Sequence, residues 1–253
     1  AARRVRFIGD ADQRIREDYL RILRFFRFSA AYGDGGLEPA GFQAALRNRD
    51  GLAMLSRERV RQETLKLIIA PQAAEVIRAM AGSGFLEPVL GGAGDVARLA
   101  ALVTLEREAG LHPSPVRRLL ALAVRGTADV ARLREALRLT NAEQAGMLAI
   151  ARARDLMDGS APRLRQALFQ LGSDRYRDAV LDAAARGTLA DWRGALAAGG
   201  PVPVFHLTGK DVLALGVPHG PEVGRLLAAT EAAWIAAGLP DDAAAQRALL
   251  LSQ

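Results

Sequence analysis

Between Ile15 and Ala30 apolar residues return at intervals of three and four, through Tyr19, Ile22, Leu23 and Phe26. That spacing predicts one amphipathic helix over 12–32, entered through a turn at Gly9-Asp10 and stopped at Gly33. Asp18, Arg21, Phe25 and Phe28 fall on an adjoining stripe of the same helix. Pro39 suits the first turn of a second helix ending near Gly51. Ser56 is placed to cap a third, with Glu58 favourable to the helix dipole and Leu55 positioned to staple against Val60. Val60 and Leu67 turn inward on it, and Arg59 and Glu63 are spaced to pair one turn apart.

From Pro71 onward the pattern is helix after helix with short Gly, Pro or Ser breaks: 72–81, 95–109, 116–125, 129–138, 141–157, 162–171, 174–186 and 189–198. Thr140 with Glu143 is a capping box for the helix over 141–157. No stretch alternates with period two for long enough to make a strand, so the expected fold class is all-α, a multi-helical array. No motif recurs at a fixed period, which argues against a regular solenoid. Gly199-Gly200-Pro201-Val202-Pro203 reads as a linker. Beyond it Thr208 and Asp211 box a short helix that Gly216 ends, and Pro221 opens the next. The expected division is residues 1–70, 71–200 and 201–253.

Composition changes this picture in two ways. Half of the 253 residues are hydrophobic but only 5% are aromatic, so helix packing should rest on small residues. The formal charge is +6, and only Lys66 and Lys210 are lysines, leaving 32 of the 34 basic residues as arginine. Ala, Gly and Pro are abundant with Arg, as GC-rich coding produces, yet a basic balance still favours polyanionic partners. The absence of cysteine excludes disulfides, thiolate metal sites and cysteine nucleophiles. His112, His206 and His219 are far apart and read as surface or turn residues, and no carboxylates recur at a spacing suited to a metal pair. Asp241-Asp242 reads as a helix cap. No apolar run approaches the roughly 18 residues of a membrane span, and Ala-Ala-Arg-Arg-Val-Arg lacks the core of a signal peptide. The expectation is a soluble, cytoplasmic chain, and the missing initiator Met suggests a fragment.

The candidate chemistry lies in Glu17-Asp18-Tyr19-Leu20-Arg21. A carboxylate only accepts hydrogen bonds and a guanidinium only donates them. Side by side, Asp18 and Arg21 match a base edge with an exocyclic amine next to a ring acceptor nitrogen, as in cytosine and adenine; uracil and guanine present the reverse order. By residue type alone an ordinary intrahelical ion pair is the commoner reading of the two. Glu17 is placed to orient Arg21 in either case. Arg24 and Arg27, interleaved with Phe25, Phe26 and Phe28, lean toward nucleic acid. In the tail, Lys210, Gly220, Gly224 and Arg225 surround a helix start that suits a phosphate, or form a close helix crossing. Glu58, Arg59 and Glu63 read as scaffold.

Two separated motifs sharpen these readings. The run from Gly9 through Glu17-Asp18-Tyr19-Leu20-Arg21 to Phe28 closely resembles the neck of bacterial class II tRNA nucleotidyltransferases, the CCA-adding enzymes, and of the related poly(A) polymerases. Ser56-Arg57-Glu58-Arg59-Val60 with Glu63 and Lys66-Leu67 resembles that family's next element, and Leu207 through Gly224 its tail. The resemblance implies that Asp18 and Arg21 read the base edge of CTP or ATP, that Glu17 orients the arginine, and that Ser56 to Lys66 brace the neck. Body and tail would bind the acceptor and T arms of tRNA through backbone and shape, with Arg24, Arg27, Lys210, Gly220, Gly224 and Arg225 as RNA contacts. The family's head, whose carboxylates hold Mg2+ for attack of the tRNA 3' hydroxyl on the nucleotide α-phosphate, lies upstream of the neck and is missing from this sequence. By itself the chain is therefore expected to be inactive and to bind no metal. A poly(A) polymerase and a stand-alone helical RNA-binding module are the alternatives, and the lack of a long basic extension after Gln253 tilts toward CCA addition.

Overall fold

A computed structural model describes residues 3–34 and 36–253. Among these residues there are α-helices and 3-10 turns and no strand, as the all-α expectation holds. In chain order the helices are α1 Ala11–Glu17, α2 Leu20–Tyr32, α3 Pro39–Arg47, α4 Arg57–Ile68, α5 Ala73–Gly82, α6 Leu86–Leu90, α7 Val96–Glu108 and α8 Pro115–Ala123. There follow α9 Thr127–Leu137, α10 Asn141–Arg152, α11 Ala161–Ala185, α12 Trp192–Ala197, α13 Gly209–Leu213, α14 Pro221–Ala236 and α15 Ala243–Leu251. The chain separates into two compact units, Ala1–Arg152 with Ala184–Arg186, and Ala153–Ala183 with Gly187–Gln253.

Caps place most helix starts where the sequence puts them. Asp10, Ser56 and Asp242 each accept a hydrogen bond from a backbone N–H in the first turn they precede. Thr140 and Glu143 exchange bonds of 2.7 and 3.2 Å, and Asp211 takes both the backbone N–H and the hydroxyl of Thr208 at 2.8 Å. Those bonds from Thr208 hold the Asp211 carboxyl below its ordinary value. Gly33 ends α2 as expected, but for a different reason. Its backbone is extended, and a Cβ there would lie 2.6 Å from the Ser29 carbonyl oxygen.

Several boundaries depart from expectation, among them the helix over 141–157, which ends at Arg152 and gives way to a 3-10 turn, Ala153–Leu156. The helix over 12–32 is two helices, because Asp18 adopts φ −158° and ψ 104° between α1 and α2. The second helix stops at Arg47 and gives way to a 3-10 turn, Arg49–Met54. The helices over 162–171 and 174–186 are joined as α11, with Gly172 at φ 70° marking the kink between them. The short α6 went unread, since its Leu86-Glu87-Pro88 start carries proline and too few turns for periodicity to show.

In the first unit α2 packs on α4, and Ile22, Leu23, Phe26 and Ala30 of α2 and Val60, Leu67 and Ile68 of α4 are all buried. Phe25, which the helical wheel puts on a polar-side stripe, is also buried, stacked 5.4 Å from Phe7. Aromatic edges at Phe26, Phe42 and Phe85 complete this core.

Arginine is used heavily inside the first unit. Arg98 donates to the carbonyls of Leu120, Ala121 and Val124 at the C-terminal end of α8. Arg132 reaches the Leu90 and Ala123 carbonyls at 3.0 Å, Arg57 that of Pro88 at 2.9 Å and Arg49 that of Ser83 at 3.0 Å. Glu106 on α7 lies between Arg117 and Arg118 at 2.8 and 2.7 Å, with all three side chains buried. Arg118 also donates to the Ile68 carbonyl at the end of α4. Removing one member of such a cluster leaves buried charge uncompensated. Glu106→Ala is therefore expected to lower the stability of the first unit by about 3–5 kcal/mol in urea unfolding; a change near zero would mean that water reaches the two guanidiniums.

Candidate nucleic-acid interface

The α1–α2 junction carries the candidate chemistry. Asp18 is not helical, yet the Arg21 N–H donates to the Asp18 carbonyl at 3.0 Å, so the two side chains still emerge one turn apart. The expectation of one continuous helical face is thus corrected. Asp18 and Arg21 are not paired with each other. The Glu17 carboxylate bridges Arg14 and Arg21 at 2.6 and 2.7 Å, and the same Arg21 nitrogen donates to the Arg14 carbonyl at 2.8 Å. Glu17 therefore does orient Arg21.

The partner of Asp18 comes from α4. One Arg59 nitrogen spans both Asp18 oxygens at 3.1 and 2.9 Å, and the Leu20 N–H donates to Oδ1 at 3.1 Å. Arg59 is thus not paired with Glu63, as the one-turn spacing had suggested. Glu63 instead sits nearly buried beneath Arg24 and Arg27, at 3.5 and 2.9 Å. The contact to Arg27 is an ion pair whose N–H is not aimed at the oxygen. Arg27 also lies 4.3 Å over the Phe28 ring. No periodicity argument on one helix could find these pairs, because they depend on how α2 crosses α4.

A cleft of about 270 Å³ opens beside Arg21. Arg6, Arg14, Arg21 and Arg24 line it with Val5, Phe7, Ile8, Phe25 and Phe28, and no acidic residue does. Arg6 and Arg14 were not among the expected contacts; Arg6 comes from the entry segment, where Phe7 stacks on Phe25, and Arg14 comes from α1. Tyr19 sets the junction from the other side, its ring lying against Gly51.

The tail residues lie in the second unit. Leu207, Val212 and Leu250 form its small core with Val223, Leu226 and Leu227. Lys210, Gly220, Gly224 and Arg225 are exposed, as are His206 and His219. Arg225 is not free for a phosphate, because it chelates Glu222 at 2.9 and 2.5 Å. The hydrogen bond from Arg225 holds the Glu222 carboxyl below its ordinary value.

Comparison with known proteins bears on this geometry. Residues 36–93 match the family described as the probable RNA and SrmB-binding site of polymerase A. The mitochondrial CCA tRNA nucleotidyltransferase 1 of Danio rerio is 29% identical over 92% of this chain and 55% of its own length. The CCA-adding enzyme of Geobacillus stearothermophilus is 38% identical over 38% of the chain and 24% of its own length. The crystal structure of the Bacillus stearothermophilus CCA-adding enzyme in complex with CTP superposes with TM-score 0.69 and 25% identity, over 99% of this chain and 65% of that one. By sequence and by fold, this chain matches the C-terminal portion of CCA-adding enzymes. The Thermotoga maritima CCA-adding enzyme complexed with tRNA shares the fold at TM-score 0.63 and 15% identity, over 95% of this chain and 62% of that one. The chain spans about half the length of the curated CCA nucleotidyltransferases it matches over nearly all of its own, 55% and 56%. No described helix is long and apolar enough to cross a membrane.

A Cβ on Gly51 would fall 2.0 Å from the Tyr19 ring. Gly51→Ala is expected to cost about 1–3 kcal/mol, as overpacking does, and to lower the melting temperature. An unchanged melting temperature would show that the Tyr19 ring is not fixed there.

Proposed function

We propose that this chain is the neck, body and tail of a tRNA nucleotidyltransferase that adds C and A residues to tRNA. Residues 1–70 select the nucleotide, 71–200 form the helical body and 201–253 bind RNA. CTP and ATP are the substrates, and tRNA is the partner. One observation carries the reading: an acid and an arginine, one turn apart at the α1–α2 junction, are each held by a third residue rather than by one another. A pair that neutralised itself would have nothing to offer a base. Held separately, Asp18 retains acceptor capacity and Arg21 retains N–H donors, in the order that cytosine and adenine complement.

The chain's own residues supply binding and orientation. Arg21 is fixed by Glu17 so that its remaining donors meet a ring nitrogen, and Asp18 receives the exocyclic amine. The arginines of the neighbouring cleft, with Phe28 as a wall, suit the phosphates and bases of an RNA end. Arg27 adds a further basic side chain on α2; in the second unit Lys210 is exposed, and Gly220 and Gly224 leave backbone uncovered at the start of α14. Among the described residues no group of three or more His, Cys, Asp or Glu side chains is placed to hold a cation. Where bound in the whole enzyme, metal ions would activate the attacking hydroxyl and steady the phosphates. The cytoplasm is the proposed compartment, although relatives of mitochondrial name place the same activity in an organelle.

The matched family's description names polymerase A, which favours poly(A) synthesis as the second reading. Incorporation assays on tRNA ending at its discriminator base separate the two, because only the first reading predicts C before A. In the natural full-length polypeptide, Asp18→Ala and Arg21→Ala are expected to erode the preference for C and A by about tenfold or more, with tRNA affinity little changed. Wild-type nucleotide choice in both variants would remove the base-reading assignment. In the tail, Lys210→Ala should weaken tRNA binding and lower the salt slope by about one ion. Glu222→Gln, which releases Arg225, should strengthen binding; if neither moves the affinity, the α13–α14 turn is not an RNA contact.

A further inference from the structure

We infer that Arg59 is a specificity-determining positioning residue, fixing which oxygen of Asp18 reads the base. The inference rests on the reading of Asp18 and Arg21 as base readers and adds a residue to it. A carboxylate has about four lone-pair sites. On Asp18, Oδ1 accepts the Leu20 N–H at 3.1 Å and Arg59 Nη2 at 3.1 Å, and Oδ2 accepts the same Nη2 at 2.9 Å. Three sites are filled, and the one left is on Oδ2.

The donors of Arg21 are restricted in the same way. Its Nη1 is committed to the Arg14 carbonyl at 2.8 Å and to Glu17 at 2.7 Å. Of about five guanidinium donors, Nε–H and the two on Nη2 remain. The junction therefore offers a single acceptor and a fixed set of donors. A freely turning carboxylate would offer either oxygen and more than one angle, and the distinction between an amine edge and a carbonyl edge would blur. Arg59 removes that freedom. Because it arrives from α4, its hold on Asp18 also depends on the α2–α4 crossing, and Glu63, one turn further along α4, fastens that crossing to Arg24 and Arg27.

Arg59 touches Asp18 through one nitrogen rather than through a two-pronged fork, so a lysine ammonium can take over part of the role. Its side chain is half exposed, and Arg59→Ala is expected to fold. The test uses the natural full-length polypeptide and compares wild type, Asp18→Asn, Arg59→Ala, Arg59→Lys and Arg59→Gln. Single-nucleotide incorporation with CTP, ATP, UTP and GTP gives the discrimination ratio, tRNA affinity is measured separately, and circular dichroism with thermal melting checks folding. The expected result is a ratio lowered about tenfold or more in Arg59→Ala, partly retained in Arg59→Lys, with unchanged tRNA affinity. Should Arg59→Ala not fold, Arg59→Gln gives the same comparison. Loss of discrimination in Asp18→Asn but not in the Arg59 variants would overturn the role of Arg59 and leave the base reading standing. Full discrimination in Asp18→Asn as well would overturn both. A fall in tRNA affinity with unchanged nucleotide choice would make Arg59 an RNA contact and overturn the inference.

Discussion

The Asp18 carboxylate at the α1–α2 junction is held by a charge that crosses from α4. Arg59 and Glu63 stand one turn apart on that helix and reach different targets, Asp18 on one side and Arg24 with Arg27 on the other. Glu63 is the more constrained of the two, since it is nearly buried while its partners are partly exposed. A buried carboxylate without cations beside it would be costly, so the arginines of α2 are tied to this position whatever else they do. The apolar contacts of Ile22, Phe26, Val60 and Ile68 press the two helices together, but such contacts are not directional. The charge pairs are directional, and they fix the rotation that brings Asp18 out of the helix and toward Arg59.

The same accounting changes what the basic composition means. Thirty-two arginines look at first like a surface made for a polyanion. Arg49, Arg57, Arg98 and Arg132 instead close carbonyl groups at helix ends, and Arg117, Arg118 and Arg154 are buried against Glu106 and Asp182. Short helices leave many unpaired carbonyls per residue, and a long side chain with several donors is well suited to reach them. Net charge is therefore a poor guide to where RNA lies on this chain. The cleft beside Arg21 is a better one, because its lining holds four arginines and no acid.

How much of this was legible in the sequence depended on the range of the interaction. Caps such as Ser56, Thr140 with Glu143, and Thr208 with Asp211 are local, and they were readable to the residue. The Glu17–Arg21 pair is one helical turn and was likewise readable. The Asp18–Arg59 pair spans 41 positions, and from spacing alone Arg59 had a nearer candidate in Glu63. The break at Asp18 was also hidden, because apolar spacing runs on from Ile15 to Ile22 through it. What ends α1 there is a tertiary arrangement: Tyr19 against Gly51 and Asp18 on Arg59. In the tail, the residue types around Pro221 suited a phosphate, but Glu222 in the same turn already supplies Arg225 with an anion.

The cleft arginines share a property that bears on how the chain can release what it binds. Arg14 and Arg21 divide one carboxylate, Glu17, and Arg24 stands 3.5 Å from Glu63. Each is partly satisfied before any ligand arrives. A phosphate entering the cleft must therefore compete with carboxylates that are already in place, and the gain from each contact is smaller than for a bare arginine. On the proposed function, a fully unpaired cluster would hold an RNA end too tightly for a whole enzyme that shifts its primer after each addition. A half-occupied cluster would let the RNA move by one nucleotide while one set of anions replaces another, at little net cost. Asp18 obeys the same logic, since Arg59 and the Leu20 N–H leave it one acceptor site. On the proposed reading, a base would be distinguished by the order of its hydrogen bonds and not by how strongly it is held.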